Sequence, residues 1–159
     1  MNLDIGAEAM VNADFTLASG SLPPYANVAG HESDGTPLYV VRAEYEGGHH
    51  PGKYRSGWNA ASISYGGREV WVPNYYVWTG RLSDGSPGQW VSIDAAASFD
   101  PVWCGAESDL TPLYAARAYH EGSLQLGKWR KDWTLASIPY GGQELWLPAE
   151  ILCPGTQLD

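Results

Sequence analysis

The sequence predicts an all-β protein built as two tandem, pseudo-twofold-related small antiparallel β-sandwich repeats, interlocked by strand exchange. Three observations predict it. Shifted by 75 positions, the chain superimposes on itself without a gap. Within each copy, short runs alternate between two sets of side chains with the two-residue period of a half-buried strand. Turn formers interrupt these runs, with 19 Gly and 11 Pro in 159 residues, and no stretch sustains a capped 3.6-residue period over ten positions.

The repeat sets the domain organisation. Between 30 and 78, 25 of 49 residues are identical to those at 105 to 153. TPLYVVRAEYEG falls on TPLYAARAYHEG, GKYR on GKWR, and ASISYGGREVWVP on ASIPYGGQELWLP. The match fades upstream, where Phe15 falls on Trp90 but Leu17 falls on Ser92. The expected division is an N-terminal segment 1–14, repeat 1 over 15–78, a linker 79–89, repeat 2 over 90–153 and a tail 154–159. Units this short do not close a core alone, so the copies are expected to pack on one another.

Each element has a local reason. The Asp34-Gly35 turn signal and Pro37 introduce a strand in which Leu38, Val40 and Arg42 alternate with Tyr39, Val41 and Ala43. A second run, 58–64, closes at Tyr65-Gly66-Gly67, where glycines permit the positive φ of a tight turn. A third, 68–72, stops at Pro73, and 75–78 resumes extended structure. His49 and His50 are assigned to a loop. The Gly/Ser/Pro-rich stretch 79–89 reads as the linker.

Composition excludes several function classes. Hydrophobic residues at 44% and charged residues at 17% support a folded core. Nine basic against 18 acidic residues give a net charge of −9. That charge disfavours nucleic acid or an anionic membrane as partner. No apolar run reaches the roughly 18–20 residues of a spanning helix, so no membrane insertion is expected. The acidic start lacks a secretory n-region, so the expected location is the cytoplasm, or outside the cell after export without a signal peptide. Cys104 and Cys153, too few for a scaffold, are expected to be free and buried. The His pair lacks its repeat counterpart, Leu124-Gln125, and further ligands at metal spacing, so no metal and no cofactor is expected.

The recurring polar residues are the candidate site. Two of the three lysines, Lys53 and Lys128, share one repeat position, and Asp34 and Asp109 share another. Glu46 and Glu121 recur as well. A carboxylate accepts two hydrogen bonds while an ammonium donates, a combination suited to neighbouring sugar hydroxyls. Tyr54 and Trp129, next to the lysines, are expected at the pocket lip, where a ring can stack on a pyranose. Asp34 and Lys53 lie nineteen positions apart, and an intervening strand of about nine residues spans roughly 30 Å. Either the chain hairpins back near 43–46 and joins them, or Asp34 faces Lys128 and Asp109 faces Lys53 across the repeat interface.

The pattern G-x-E-S-D … P-L-Y-x-x-R-A-x-x-E-G … G-K … A-S-I-x-Y-G-G-x-E resembles the DM-nine repeat family. This is the tandem module of certain invertebrate mannose lectins and the amino-terminal part of natterin-like toxins. Arg42-Ala43, Glu46-Gly47 and Pro51-Gly52-Lys53 carry its most specific part, and Leu126 replaces Pro51 in copy two. The resemblance implies interlocked β repeats, metal-independent binding of mannose or mannose-containing glycans without catalysis, and a homodimer. It implies that Asp34 and Lys53, with Asp109 and Lys128, dominate the sugar contacts. A protein-interaction or toxin-type recognition module is the alternative, and a glycosidase using repeated glutamates a third. The toxin reading expects a pore-forming segment, whereas this chain runs six residues beyond Cys153.

Overall fold

In the computed structural model, which describes residues 13–82 and 88–155, the 75-residue shift holds strand for strand. Repeat 1 supplies β1 (Ala13–Ala18), β2 (Val28–His31), β3 (Pro37–Tyr45), β4 (Gly48–Tyr54), β5 (Ala61–Tyr65), β6 (Arg68–Val72) and β7 (Tyr75–Leu82). Repeat 2 supplies β8 (Gln89–Ser92), β9 (Trp103–Ala106), β10 (Pro112–His120), β11 (Ser123–Trp129), β12 (Ala136–Tyr140), β13 (Gln143–Leu147) and β14 (Glu150–Cys153). One helical turn, α1 (Ile93–Ala96), and a 3-10 turn (Ala97–Phe99) follow β8. The protein is all-β and antiparallel. The stretch expected as a linker overlaps the ends of β7 and β8. Its residues 83–87, most of the N-terminal segment 1–14 and most of the tail 154–159 lie outside the described residues.

The hairpins form where the turn chemistry allows them. β3 turns back into β4 at Glu46-Gly47, with φ of 50° and 78°, and β10 into β11 at Glu121-Gly122, with φ of 48° and 78°. Two consecutive positive φ values define the turn whose twist matches antiparallel strands. Their register runs Tyr39↔Tyr54 to Tyr45↔Gly48, and Tyr114↔Trp129 to His120↔Ser123. The loop expected at His49-His50 is therefore strand β4. Pro51 disguised it, because a proline cannot donate to a ladder. It is tolerated here because β4 pairs with β9 at His49 and with β5 at Lys53, on either side of it.

The repeats interlock at two symmetry-related crossings, β2 on β11 (His31↔Leu124) and β9 on β4 (Ala106↔His49). A third junction joins β6 to β13 at Arg68↔Gln143. With the β3–β4 and β10–β11 hairpins these pairings close the sheet on itself, leaving β1 and β8 as its edges. A central core shared by both copies packs Leu38, Val40 and Trp78 against Val102, Cys104, Ala115, Leu126 and Leu152. Tyr54, Ile63 and Tyr75 anchor a second core within repeat 1, and Tyr114, Trp129 and Ile138 its counterpart in repeat 2. Cys104 and Cys153 are free and buried.

The crossings depend on missing side chains. A Cβ on Gly30 would stand 2.2 Å from the Leu124 carbonyl oxygen, and one on Gly105 2.2 Å from that of His49. Neither glycine has a positive φ, so what each contributes is room for the other repeat's backbone. Gly30→Ala or Gly105→Ala is expected to destabilise the protein by about 3 kcal/mol or more, at or above the upper end of ordinary overpacking. Urea denaturation checks this, with exposed Gly35→Ala, which strains only a positive φ, as the milder comparison.

Candidate functional site

The polar residues of the two crossings gather into two related sites, each built from both repeats. In the first, the Lys53 ammonium donates to Gln125 Oε1 at 2.6 Å, and Gln125 Nε2 donates to Glu32 Oε1 at 2.8 Å. Glu32 Oε2 accepts from Arg55 Nη1 at 3.1 Å. Lys53 lies 3.9 Å from Glu69 Oε2 and 5.4 Å from the ring centre of Tyr140. Lys53, Arg55, Glu32 and Glu69 belong to repeat 1; Gln125 and Tyr140 belong to repeat 2.

In the second site the Lys128 ammonium donates to His50 Nδ1 at 2.9 Å and lies 5.4 Å from the ring centre of Tyr65. Arg130 Nη1 donates to Glu107 Oε2 at 2.9 Å. His50 Nε2 sits 3.2 Å from the Tyr45 carbonyl, which can only accept, so the proton is on Nε2 and Nδ1 accepts from the lysine. Burial, then the neighbouring Lys128 charge, pushes the His50 pKa down to about 3, which keeps the ring neutral. Gln125 and His50 occupy one repeat position but are not equivalent. The amide accepts from the lysine and also donates to Glu32, whereas both nitrogens of His50 are already engaged and offer Glu107 nothing.

Glu69 and Glu144 fasten the seam beneath the lysines. Glu69 Oε1 accepts from the Gly142 amide and Glu144 Oε1 from the Gly67 amide, each at 2.9 Å across the repeats. Their other oxygens accept from Ser62 and Ser137.

The predicted site residues distribute as follows. The hairpin at Glu46-Gly47 brings β4 back along β3, so Lys53 pairs with Val40 and belongs to the same end of repeat 1 as the Asp34 turn. Asp34 is exposed; its Oδ1 accepts from the Thr36 amide at 2.9 Å. The Thr36 hydrogen bonds, and secondarily the Arg55 charge, lower its pKa. Asp109 repeats this with Thr111 and Arg130. Glu121 comes from the other repeat: its neighbour Gly122 lies against Ser33, as Gly47 lies against Ser108. Asp34 thus stands near Arg55, and the hairpin tip of the other repeat that carries Glu121 reaches the turn that holds Asp34; Asp109, Arg130 and the tip that carries Glu46 repeat this. Glu121 itself contacts His120, at 3.7 Å.

Two expectations are corrected. Tyr54 and Trp129 are not at a pocket lip; they are 1% and 4% exposed, inside the repeat cores. Adjacent strand residues face opposite sides, so a ring next to a seam lysine points away from the seam. Tyr54 donates to the Trp58 carbonyl and Trp129 to that of Trp133, both at 2.8 Å. The aromatic rings beside the lysines are Tyr140 and Tyr65. Nor are the lysines held open to water: each is 3% exposed. Among the described residues each ammonium makes one hydrogen bond of its possible three. Glu32, Arg55, Gln125 and Tyr140, with Glu107, Arg130, His50 and Tyr65, were missed as site residues. All but Gln125 and His50 recur in both copies, which was the available signal; the cross-repeat pairing was not.

This seam of duplicated acid–base sites in an interlocked β fold defines a tandem-repeat module. The DM9 repeat model matches residues 16–72 and 32–147, and the chain belongs to that family. No curated protein matches the chain. Among solved structures it is similar to the nematode sperm cell motility protein MFP2B, with a TM-score of 0.67 and 20% identity. That similarity covers 92% of this chain and 49% of the other, so this chain spans about half the length of its structural neighbour.

Burial pushes the Lys128 pKa down to about 8, against the opposing pull of Glu107 and Glu144. Between about pH 8 and the ordinary lysine value of 10.5 the unfolded chain holds a proton that the folded chain has released. Stability from this group therefore rises with pH across that window. Denaturation at pH 7.5 and 9.5 is expected to show this rise in the wild type and a smaller one in Lys128→Met. Tyr54→Phe, which removes only a buried hydroxyl bond, is expected to cost about 1 kcal/mol. A ligand titration of that variant should match the wild type.

Proposed function

We propose that the protein is a non-enzymatic carbohydrate-binding module that takes mannose or mannose-containing glycans at its two seam sites without a metal. The observation that carries this reading is the arrangement at each site. Each lysine is fixed by a cross-repeat acceptor, and the turn that carries an exposed carboxylate (Asp34 or Asp109) meets the hairpin tip that carries an exposed glutamate (Glu121 or Glu46). Carboxylates accept from vicinal hydroxyls while the remaining N–H donors of the ammonium reach a ring or hydroxyl oxygen. The lysine is already oriented, so binding does not have to order it. Membership in the DM9 repeat family supports the same reading.

One monosaccharide in a shallow polar site binds weakly, and two sites per chain gain by avidity on multivalent glycans. A homodimer would add to this. A second reading, an interaction module in which the seam charges are internal pairs, draws support from the near-complete burial of Lys53 and Lys128.

Calorimetric titration with mannose, with and without chelator, separates the two. The expected result is two weak sites per chain, unchanged by chelator. Asp34→Ala is expected to leave one site and Asp34→Ala with Asp109→Ala none. Each substitution removes one exposed turn bond, at a stability cost of about 1 kcal/mol or less. Absence of sugar binding by the unaltered protein overturns the reading, and a double variant that still binds removes the aspartates from it.

A further inference from the structure

We propose that the second repeat carries an extension of its seam site, a two-part cleft around Asp132 that binds further pyranose units of an oligosaccharide. The proposal rests on the carbohydrate reading above and assigns it a larger ligand at one of the two sites.

The cleft lies on the turn that follows β11. One part, about 340 Å³, is formed by Asp132, Trp133, Thr134, Leu135 and Trp146. The other, about 260 Å³, is formed by Thr111, Pro112, Tyr114, Lys131 and Asp132. Asp132 is the ridge between them. These volumes sit near the lower end of the roughly 300–1,000 Å³ of small-molecule sites, a scale suited to single sugar units.

The lining has the chemistry of a sugar subsite. Trp146 is 46% exposed and held edge-on by Trp133, ring centres 4.9 Å apart, so it offers a fixed apolar platform. An indole face stacks on the C–H face of a pyranose while the hydroxyls at the ring edge need polar partners. Asp132 supplies acceptors. Arg130 bonds both its oxygens, through Nε at 2.8 Å and Nη2 at 2.5 Å, and each oxygen keeps a further lone pair. Lys131, exposed and 5.6 Å from the Tyr114 ring centre, supplies donors on the other side.

Continuity with the seam site distinguishes this cleft from an isolated surface hollow. The same Arg130 that holds Asp132 also bonds Glu107 of the seam site. Thr111, which lines the smaller part, donates its amide to Asp109. A chain of sugars leaving Asp109 and Lys128 therefore runs past Thr111 and Tyr114 to Asp132 and Trp146.

The first repeat keeps the platform and lacks the polar ridge. Trp58 and Trp71 pack with the same 4.9 Å separation and Trp71 is 49% exposed. The positions of Lys131, Asp132, Thr134 and Leu135 are held there by Ser56, Gly57, Asn59 and Ala60. The two sites thus differ in ligand length although their centres are duplicates.

The test uses the full chain with one seam site removed at a time, titrated with mannose and with α-linked mannotriose. With Asp34→Ala, leaving the second site, mannotriose is expected to bind about threefold to tenfold tighter than mannose, the value of one net hydrogen bond from Asp132 or Lys131. With Asp109→Ala, leaving the first site, the gain should be under twofold. Adding Trp146→Ala or Lys131→Ser to Asp34→Ala should reduce the gain while leaving mannose affinity unchanged. If Trp146→Ala lowers the melting temperature, the exposed Lys131→Ser decides alone. Equal gains at the two sites, or a gain that survives both substitutions, overturns this inference. Failure of the unaltered protein to bind mannose or mannotriose overturns the carbohydrate reading itself.

Discussion

Backbone must pass against backbone where the repeats cross, and the rest of the structure depends on that contact. Gly30 and Gly105 lie on the carbonyls of Leu124 and His49, closer than any Cβ permits. Gly52 and Gly127 make the same approach to the carbonyls of Ser62 and Ser137 within each repeat. These four positions let β4 and β11 leave one neighbour and join another. Through them the sheet closes and the central core becomes common property of both copies. Neither repeat holds Leu38, Leu126 and Leu152 in one place by itself.

Closure of this kind brings charge into the interior, because residues on the seam face the other repeat rather than water. Lys53 and Lys128 lose hydration there, and burial is the first cause of the lowered pKa of each. A buried ammonium must find acceptors. The protein meets this demand across the seam, with Gln125 for one lysine and His50 for the other. The same polar contacts that make each lysine tolerable also fix its direction, so the cost of burying it and the orientation of a binding group have one origin. The two solutions differ chemically, and duplicated sites have consequently diverged at their centre as well as at their rim.

How each class of residue could be read depended on the range of the interaction that places it. The fold class, the 75-residue unit and the strands over 68–72 and from 75 onward were legible because they rest on local rules: alternation, glycine pairs in turns, proline stops. β4 was not, since Pro51 within it and His49-His50 beside it read as breaks. Only the neighbours on either side of Pro51 show that no ladder bond is lost there. Tyr54 and Trp129 failed for a related reason. Adjacency in sequence placed them with the lysines, while the strand period turned them into the cores.

By itself, then, the sequence determined the repeat and which polar residues come in pairs, because duplication at a constant spacing preserves every local preference twice. Asp34, Lys53, Glu46 and their counterparts stood out without any coordinates. What only tertiary structure decided was who meets whom. The hairpin at Glu46-Gly47 brings the lysine back to the end of β3 that follows the Asp34 turn, and the crossings supply its amide or imidazole partner and its tyrosine ring from the opposite repeat. Those partners lie between 63 and 87 positions away, and their meeting is set by backbone crossings whose cause is an absent side chain, which leaves no periodic trace in the chain.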